Sequence, residues 1–184
     1  MFHIKPDKRS QTSAALLVDG LYQCMKEKPF SSITITDVQK ASTVGRATFY
    51  RLFDALPDVL EYQCDLIFGR IIENYPSLTD SSAYDALVFF FREWMEQELL
   101  LNAIFTSNHL EILYGVFRKY APMIRAILSP DANLTEEEVN YAGNFISLGM
   151  VGTLESWMKE GKERTPEELA DFFQKTIETV YLSF

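Results

Sequence analysis

Apolar residues recur at steps of three and four positions along almost the whole chain, and this period restricts the fold more than any other feature. Two examples are Ala14, Leu17, Leu21, Cys24 and Tyr84, Leu87, Phe91, Trp94. Steps of this size place side chains on one face of an α-helix. The strand-like alternation at 33–35 is too short to build a sheet. The sequence therefore predicts an all-α fold.

Prolines and capping motifs divide this pattern into separate helices. The residues before Pro29, Pro76 and Pro130 are pushed out of the α region, so helices are expected to stop there. Thr36, Thr135 and Thr165 each have Glu or Gln three positions later, the pattern of a capping box. We predict about nine helices, at 9–27, 36–42, 46–53, 57–75, 82–101, 102–120, 122–128, 135–160 and 166–182.

Basic residues are concentrated in the first 54 positions. The whole chain of 184 residues has a net charge of −9. Residues 1–54 carry eight basic and five acidic residues, a net charge of +3, and the remainder carries nine and 21, a net charge of −12. This asymmetry indicates a head that faces a polyanion, attached to an acidic body. Chance variation on solvated helix faces is the alternative.

The two very short helices predicted at 36–42 and 46–53 indicate a module that binds nucleic acid. A helix of two turns is unstable alone and must pack on a neighbour. The expected packing residues are Val38, Ala41, Val44, Phe49 and Phe53, against Leu17 and Leu21 of the first helix. The residues left facing outward are Arg46, Ala47, Thr48, Tyr50 and Arg51.

The outward residues suit the major groove of DNA. Arginine pairs with guanine through two hydrogen bonds, hydroxyl groups reach phosphate oxygens, and the small Ala47 permits close approach or meets a thymine methyl. Thr36, at another helix N-terminus, presents its hydroxyl and free N–H groups to a phosphate. On geometry alone, a three-helix module with solvated arginines remains an alternative.

The stretch ITITDVQKASTVGRATFYRLF, residues 33–53, resembles the head of the tetracycline-repressor (TetR) family of bacterial transcriptional regulators. Family members carry a pattern close to ITV-x-DIA-xx-AGVSRATFYRHF, and the resemblance extends over about residues 8–60. It implies a helix-turn-helix DNA-binding domain at 1–55 and a helical ligand-binding and dimerisation domain at 56–184. It also implies a homodimer that binds a near-palindromic operator, most often as a repressor, and responds to a small-molecule effector.

Four positions depart from the family pattern. Thr43 replaces the glycine of the turn, and Gly45 replaces the serine N-cap. Leu52 stands where the family has histidine, and Leu56 where members often have lysine. Because two common phosphate contacts are thereby apolar, weaker and less salt-dependent DNA binding is expected.

The middle of the body is unusually aromatic. VFFFREWM and AIFTSNHLEILYGVF have aromatic residues on every side, so these helices are expected to be buried on more than one face. They either fill a core or line a cavity for an apolar or aromatic ligand. The candidate lining residues are Phe90, Trp94, Phe105, Asn108, His109, Tyr114 and Phe117.

The last two predicted helices carry broad apolar stripes. Two from each subunit are expected to form an isologous four-helix dimer interface, although an intramolecular core is the alternative. The candidate interface residues are Phe145, Leu148, Gly152, Trp157, Phe172, Phe173, Ile177 and Val180. Gly143, Gly149 and Gly152 indicate close approach of helices, since glycine otherwise disfavours a helix.

Other function classes find little support in the sequence. No catalytic constellation, phosphate-binding loop or cofactor motif is found, so an enzyme is not expected. His109 and Glu111 lie two apart and do not share a helical face, which argues against a metal site, and His3 is expected in a mobile N-terminus. Cys24 and Cys64 are expected to be buried thiols.

Without an apolar run long enough to span a membrane, the protein is expected in the cytoplasm. Two alternatives to an autonomous regulator stay open. One is an interaction protein of the same fold that has lost DNA binding and acts through another regulator, as Leu52 and Leu56 suggest. The other is a small-molecule-binding helical carrier with a vestigial head.

Overall fold

The part of the chain that the structure describes is all-helical, as predicted. The computed structural model describes residues 1–74, 82–128 and 135–182. In these ranges it contains α1 (Lys8–Glu27), α2 (Ile35–Ser42), α3 (Arg46–Leu52), α4 (Leu56–Asn74), α5 (Ala83–Met95), α6 (Glu98–Thr106), α7 (Leu110–Leu128), α8 (Glu136–Lys159) and α9 (Pro166–Leu182). A short 3₁₀ helix, Phe30–Ser32, follows α1. The stops predicted at Pro76 and Pro130 lie outside the described residues.

Three helix boundaries in the body were predicted wrongly. The helix predicted at 82–101 ends at Met95, and α6 begins at Glu98. The helices predicted at 102–120 and 122–128 are replaced by α6 and by α7, which runs through Pro122. Apolar residues continue across the break before α7, so periodicity did not reveal it. Pro122 is exposed, and the buried Phe117, Ala121 and Ile124 hold the helix together on either side of it.

The capping predictions hold at two of three positions. The Thr135 hydroxyl accepts from the backbone N–H of Glu138, and Thr165 pairs with Glu168 in the same way. Thr36, however, is not an N-cap. Helix α2 begins one residue earlier, and its capping box joins Thr34 to Asp37. Asp serves here in place of the Glu or Gln on which the prediction relied.

The first compact unit of the chain comprises Met1–Leu66 and Leu99–Leu113. Its core contains the residues predicted to pack the head, among them Leu17, Val38, Phe49 and Phe53, each completely buried. Ala41, also predicted to pack there, is only half-buried. Helices α1, α2 and α3 contact one another. The unit thereby presents α3 on a support formed by α1 and α2.

The second compact unit comprises Ile67–Glu98 and Tyr114–Phe184. In it, α5 packs on α8 and α9. Phe91 meets Phe173 with ring centroids 6.0 Å apart, and Arg92 forms a 2.9 Å ion pair with Glu167. A Cβ at Gly143 would lie 2.8 Å from that of Ala121, so α7 and α8 approach closely there. The predicted domain boundary near residue 55 stays a prediction.

Candidate nucleic-acid interface

The start of α2 is fixed by a network around Asp37. One Asp37 carboxylate oxygen accepts from the Lys28 ammonium at 2.8 Å, and from the Thr34 hydroxyl and backbone N–H at 2.6 and 2.8 Å. The hydrogen bond from Lys28, followed by those from Thr34, holds the pKa of Asp37 well below its ordinary value. The network joins the end of α1 to α2. Thr36 is exposed in the first turn of α2.

The turn between α2 and α3 has an unusual backbone at Thr43. This residue has φ of 58° and ψ of 13°, the left-handed conformation that β-branched residues rarely adopt. The turn is closed by the Ser42 hydroxyl, which accepts from the backbone N–H of Val44 at 3.2 Å. Gly45 is the N-cap of α3 and forms no side-chain capping bond, in line with the sequence prediction.

Thr43→Gly is expected to stabilise the protein. Glycine adopts a positive φ without steric cost, and relief of the β-branched strain outweighs the added freedom of the unfolded chain. The expected gain in the free energy of unfolding is about 1 kcal/mol, measured by urea denaturation. Thr12→Gly, in the interior of α1, is the control and should destabilise, because glycine is disfavoured inside helices. A destabilised Thr43→Gly would contradict the strain argument.

Helix α3 separates its side chains into a buried and an exposed set. Phe49 and Leu52 are buried, the first completely and the second to 99 per cent. Four of the residues predicted to face outward are exposed, namely Arg46, Ala47, Tyr50 and Arg51. The fifth, Thr48, is half-buried. Because Leu52 points into the core, position 52 offers no surface group of any kind.

Arg46 and Tyr50 form a pair one helical turn apart on this exposed face. An Arg46 guanidinium nitrogen donates to the Tyr50 hydroxyl at 3.1 Å. The guanidinium carbon lies 5.3 Å from the centre of the Tyr50 ring, a cation–π contact. Tyr50 is 44% exposed, so the pair stands at the surface. The two side chains are thus partly ordered without DNA.

The N-terminal arm, residues 1–7, is bound to the end of α3, contrary to the expected mobility of His3. The His3 backbone N–H donates to the Leu52 carbonyl at 2.8 Å, and Phe2 forms an antiparallel bridge with Phe53. The Phe2 ring packs edge-on to Tyr62. Sequence reasoning missed the contacts of this arm: the positive charge of the first 54 residues included Lys5 but did not place it beside α3.

A match in the body of the chain identifies its family. Residues 82–179 match the family described as "Transcriptional regulator C-terminal region" (TetR_C_8), which covers more than half of the chain. The chain belongs to the TetR family of transcriptional regulators. No curated protein is similar enough to count as a match.

Solved structures of TetR regulators have the same fold. A TetR regulator from Streptococcus agalactiae 2603V superposes with a TM-score of 0.61 at 17% identity, covering 91% of this chain and 94% of the other. A TetR regulator from Rhodococcus sp. RHA1 gives 0.63 at 15%, covering 97% and 99%. The dihydroxyacetone kinase operon activator DhaS gives 0.62 at 14%, covering 94% and 97%. At such identities the likeness concerns the fold alone.

The seven candidate ligand residues of this TetR protein are divided between the two compact units. Phe90, Trp94 and Phe117 lie together in the second unit and are buried. Phe117 is 5.4 Å from each of the other two rings, and all three surround Phe68. Tyr114, in the same unit, is half-buried. We call Phe68, Phe90, Trp94 and Phe117 the aromatic cluster.

The remaining candidates belong to the first unit. His109 stacks edge-on against Phe30, with ring centroids 5.9 Å apart. Phe105 is half-buried, while Asn108 is exposed and has a φ of 61°. Since residues 107–109 interrupt the helix, His109 reaches Glu111, and its Nδ1 lies 3.0 Å from a carboxylate oxygen. His109 and Glu111 therefore meet although they do not share a helical face, contrary to the separation expected from the sequence.

The candidate dimer residues line α8 and α9. Exposed apolar side chains are Phe145, Leu148 and Phe172. Gly152 and Ile177 are half-buried, whereas Trp157 and Phe173 are buried within the protomer. A groove of about 350 Å³ between the helices is lined by Phe145, Gly149, Gly152, Phe172, Phe173 and Ile177 among others. The side chain of Val180 lies outside the described residues.

Other kinds of site are not found in the described ranges. They contain no group of three or more His, Cys, Asp or Glu residues placed to hold a metal ion. Cys24 and Cys64 are free and buried as predicted, and burial raises the pKa of both thiols. None of the helices described here has the length and apolar character needed to cross a membrane.

Proposed function

We propose that the protein is a ligand-responsive transcriptional regulator, acting as a repressor, that binds a near-palindromic DNA operator as a homodimer. The observation that carries this proposal is the exposed face of α3, where Arg46 and Tyr50 stand on a fully packed helix-turn-helix. Arg46 is assigned to base edges in the major groove, and Arg51 and Thr36 to phosphates. Ala47 and Thr48 complete the contact surface.

The dimer is proposed to form through α8 and α9. Phe145, Leu148 and Phe172 are between 47% and 57% exposed and border an apolar groove, a combination typical of protein contact surfaces. An isologous interface pairs the same helices of both subunits. The two α3 helices of the dimer are proposed to enter successive major grooves on one face of the DNA, whose centres are about 34 to 36 Å apart.

The proposed effector is an apolar, aromatic molecule with a hydrogen-bond acceptor. Trp94 is completely buried, and its indole N–H has no acceptor among the described residues. A buried donor without a partner costs about 1 to 3 kcal/mol, which an acceptor atom of a ligand entering the aromatic cluster recovers. Coupling between effector and operator is expected to change affinity by roughly 5- to 150-fold.

Selection of bound fragments from genomic DNA tests this proposal. The wild-type protein is expected to enrich a palindrome and to have twice the chain mass by light scattering. Phe172→Asp places a charge on the exposed α9 face and should give monomers that no longer enrich the palindrome. Met123→Asp is the matched control, because Met123 is a similarly exposed apolar residue on α7, and it should behave like wild type.

One outcome of the selection and one of light scattering would contradict the proposal. A wild-type protein that enriches no sequence at low or moderate salt favours the interaction-protein alternative. If the Phe172→Asp variant is still a dimer, the dimer interface is not formed by α8 and α9 as proposed. A reporter gene under the enriched operator then gives the sign of regulation, a relevant measurement since DhaS, of similar fold, is an operon activator. If no aromatic compound with a hydrogen-bond acceptor changes the affinity for the operator, the proposed response to an effector is contradicted.

A further inference from the structure

A basic pocket lies where the N-terminal arm meets α1 and α3. Its volume is about 280 Å³, and its lining includes Lys5 from the arm, Arg9 from α1 and Arg51 from α3. We propose that this pocket binds one phosphate of the DNA backbone, beside the segment read by α3. This inference rests on the proposed function, and it adds Lys5 and Arg9 to the DNA contacts.

The charges of the pocket favour an anion. The single carboxylate of its lining is Asp7, which is already used as the N-cap of α1. One Asp7 oxygen accepts from the backbone N–H of Ser10 at 2.9 Å and the other from the Ser10 hydroxyl at 2.8 Å. These bonds lower the pKa of Asp7, so the group stays ionised and satisfied. The pocket is therefore lined by three cations and by one carboxylate that is already hydrogen-bonded to Ser10.

His3 also lines the pocket, and its imidazole contacts a carboxylate outside the lining. The Nε2 atom of His3 lies 3.0 Å from a carboxylate oxygen of Asp54. That contact directs the imidazole toward Asp54. The same residue holds the arm in place, because its backbone N–H bonds to the Leu52 carbonyl. The arm thus brings Lys5 to the end of α3 without relying on the charge of His3.

The position of the pocket points to DNA as the source of the phosphate. Arg51 directly follows Tyr50 on α3, so the pocket adjoins the proposed base-reading surface. In protein–DNA complexes, phosphate contacts flank base contacts and fix the register of the protein. Lys5, Arg9 and Arg51 are all exposed, which lets a continuous nucleic-acid backbone reach them. Several water molecules of about 30 Å³ each fit the volume, and so does a phosphate group.

The salt dependence of operator binding tests the pocket. Lys5→Gln and Arg9→Gln are each expected to reduce the slope of log affinity against log salt concentration by up to about 0.9, the value for complete loss of the one phosphate contact that these cations share. Both should weaken binding to operator and unrelated duplex by the same factor, since a phosphate carries no sequence information. Lys8→Gln is the matched control: Lys8 is an exposed cation next to Arg9 outside the pocket lining, and its slope should equal that of wild type.

The possible outcomes separate this inference from the proposed function. If wild type binds DNA but all three variants share its slope, the pocket assignment is overturned and the regulator remains. A slope reduced equally in Lys8→Gln also overturns it, since general charge then explains the loss. If calorimetry shows that the pocket binds inorganic phosphate while the salt slopes of the variants equal that of wild type, the pocket binds a free anion and not the DNA backbone. A wild type that binds no duplex removes both proposals. Circular dichroism melting of each variant verifies that it is folded.

Discussion

Replacing Arg46 and Tyr50 together by alanine is expected to abolish selective operator binding. Both side chains are exposed on the same face of α3. A bidentate contact from Arg46 to a base contributes about 1 to 3 kcal/mol, and Tyr50 holds the guanidinium of Arg46 in place. The double variant should therefore bind its operator about 100-fold more weakly or worse, while binding to unrelated duplex falls much less. Fluorescence anisotropy on both duplexes measures the two affinities. Stability should change little, because neither side chain is part of the core.

The effects of the two single substitutions, at Arg46 and at Tyr50, on operator affinity are expected not to be additive. Arg46 donates to the Tyr50 hydroxyl and stacks on its ring, so each residue orders the other before DNA arrives. A double-mutant cycle on operator affinity should give a coupling of about 0.5 to 3 kcal/mol, the range for residues in contact. Arg118→Ala removes an exposed arginine from α7 in the second unit and serves as the charge control. If the double variant and Arg118→Ala bind the operator equally well, α3 is not the reader.

The exposed face of α3 could be predicted from sequence because local and tertiary constraints agree there. Phe49 and Phe53 are four positions apart and both completely buried, which leaves the intervening Tyr50 outside. A short helix with so clear a division has one way to pack. The resemblance to TetR heads then supplied the family, which the match over residues 82–179 shows from an independent part of the chain.

The arm could not be predicted because its contacts are entirely tertiary. His3 bonds to the backbone carbonyl of Leu52, and backbone pairing leaves no mark in side-chain identity. Residues 1–7 also contain Pro6 and two charged residues, Lys5 and Asp7. From the sequence, Lys5 and Arg9 could therefore be counted among the basic residues of 1–54 but not located in the fold. Their position beside Arg51 depends on the fold.

The break before α7 shows a different limit of periodicity. Asn108 adopts a positive φ, so the backbone leaves the helix there without glycine or proline. Leu101 and Ile104 before the break and Leu113 after it are all buried, and the apolar pattern therefore continues. Side-chain burial on both sides conceals a change in backbone direction. Asparagine, which tolerates the left-handed region better than most residues, was the single local signal.

Gly20→Ala is expected to damage the head more than any other single methyl addition. Gly20 lies in α1 at the crossing with α2, where a Cβ would stand 2.8 Å from the Ser42 Cβ and 2.9 Å from its backbone nitrogen. A backbone atom cannot move to another rotamer, so the two helices must separate. Overpacking of this kind costs about 1 to 3 kcal/mol, even though alanine favours a helix. The displaced α2 carries the turn and α3 with it.

Two measurements distinguish this local damage from general unfolding. Urea denaturation should show a lowered free energy of unfolding, and operator affinity should fall by at least tenfold while light scattering still gives a dimer. Gly115→Ala is the matched control, since a Cβ at this exposed position of α7 meets nothing within 4 Å. It should stabilise by up to about 1 kcal/mol through helix propensity and leave operator binding unchanged. If both variants are stabilised equally, the α1–α2 crossing tolerates a methyl group, and the support of α3 is less rigid than the close approach at Gly20 indicates.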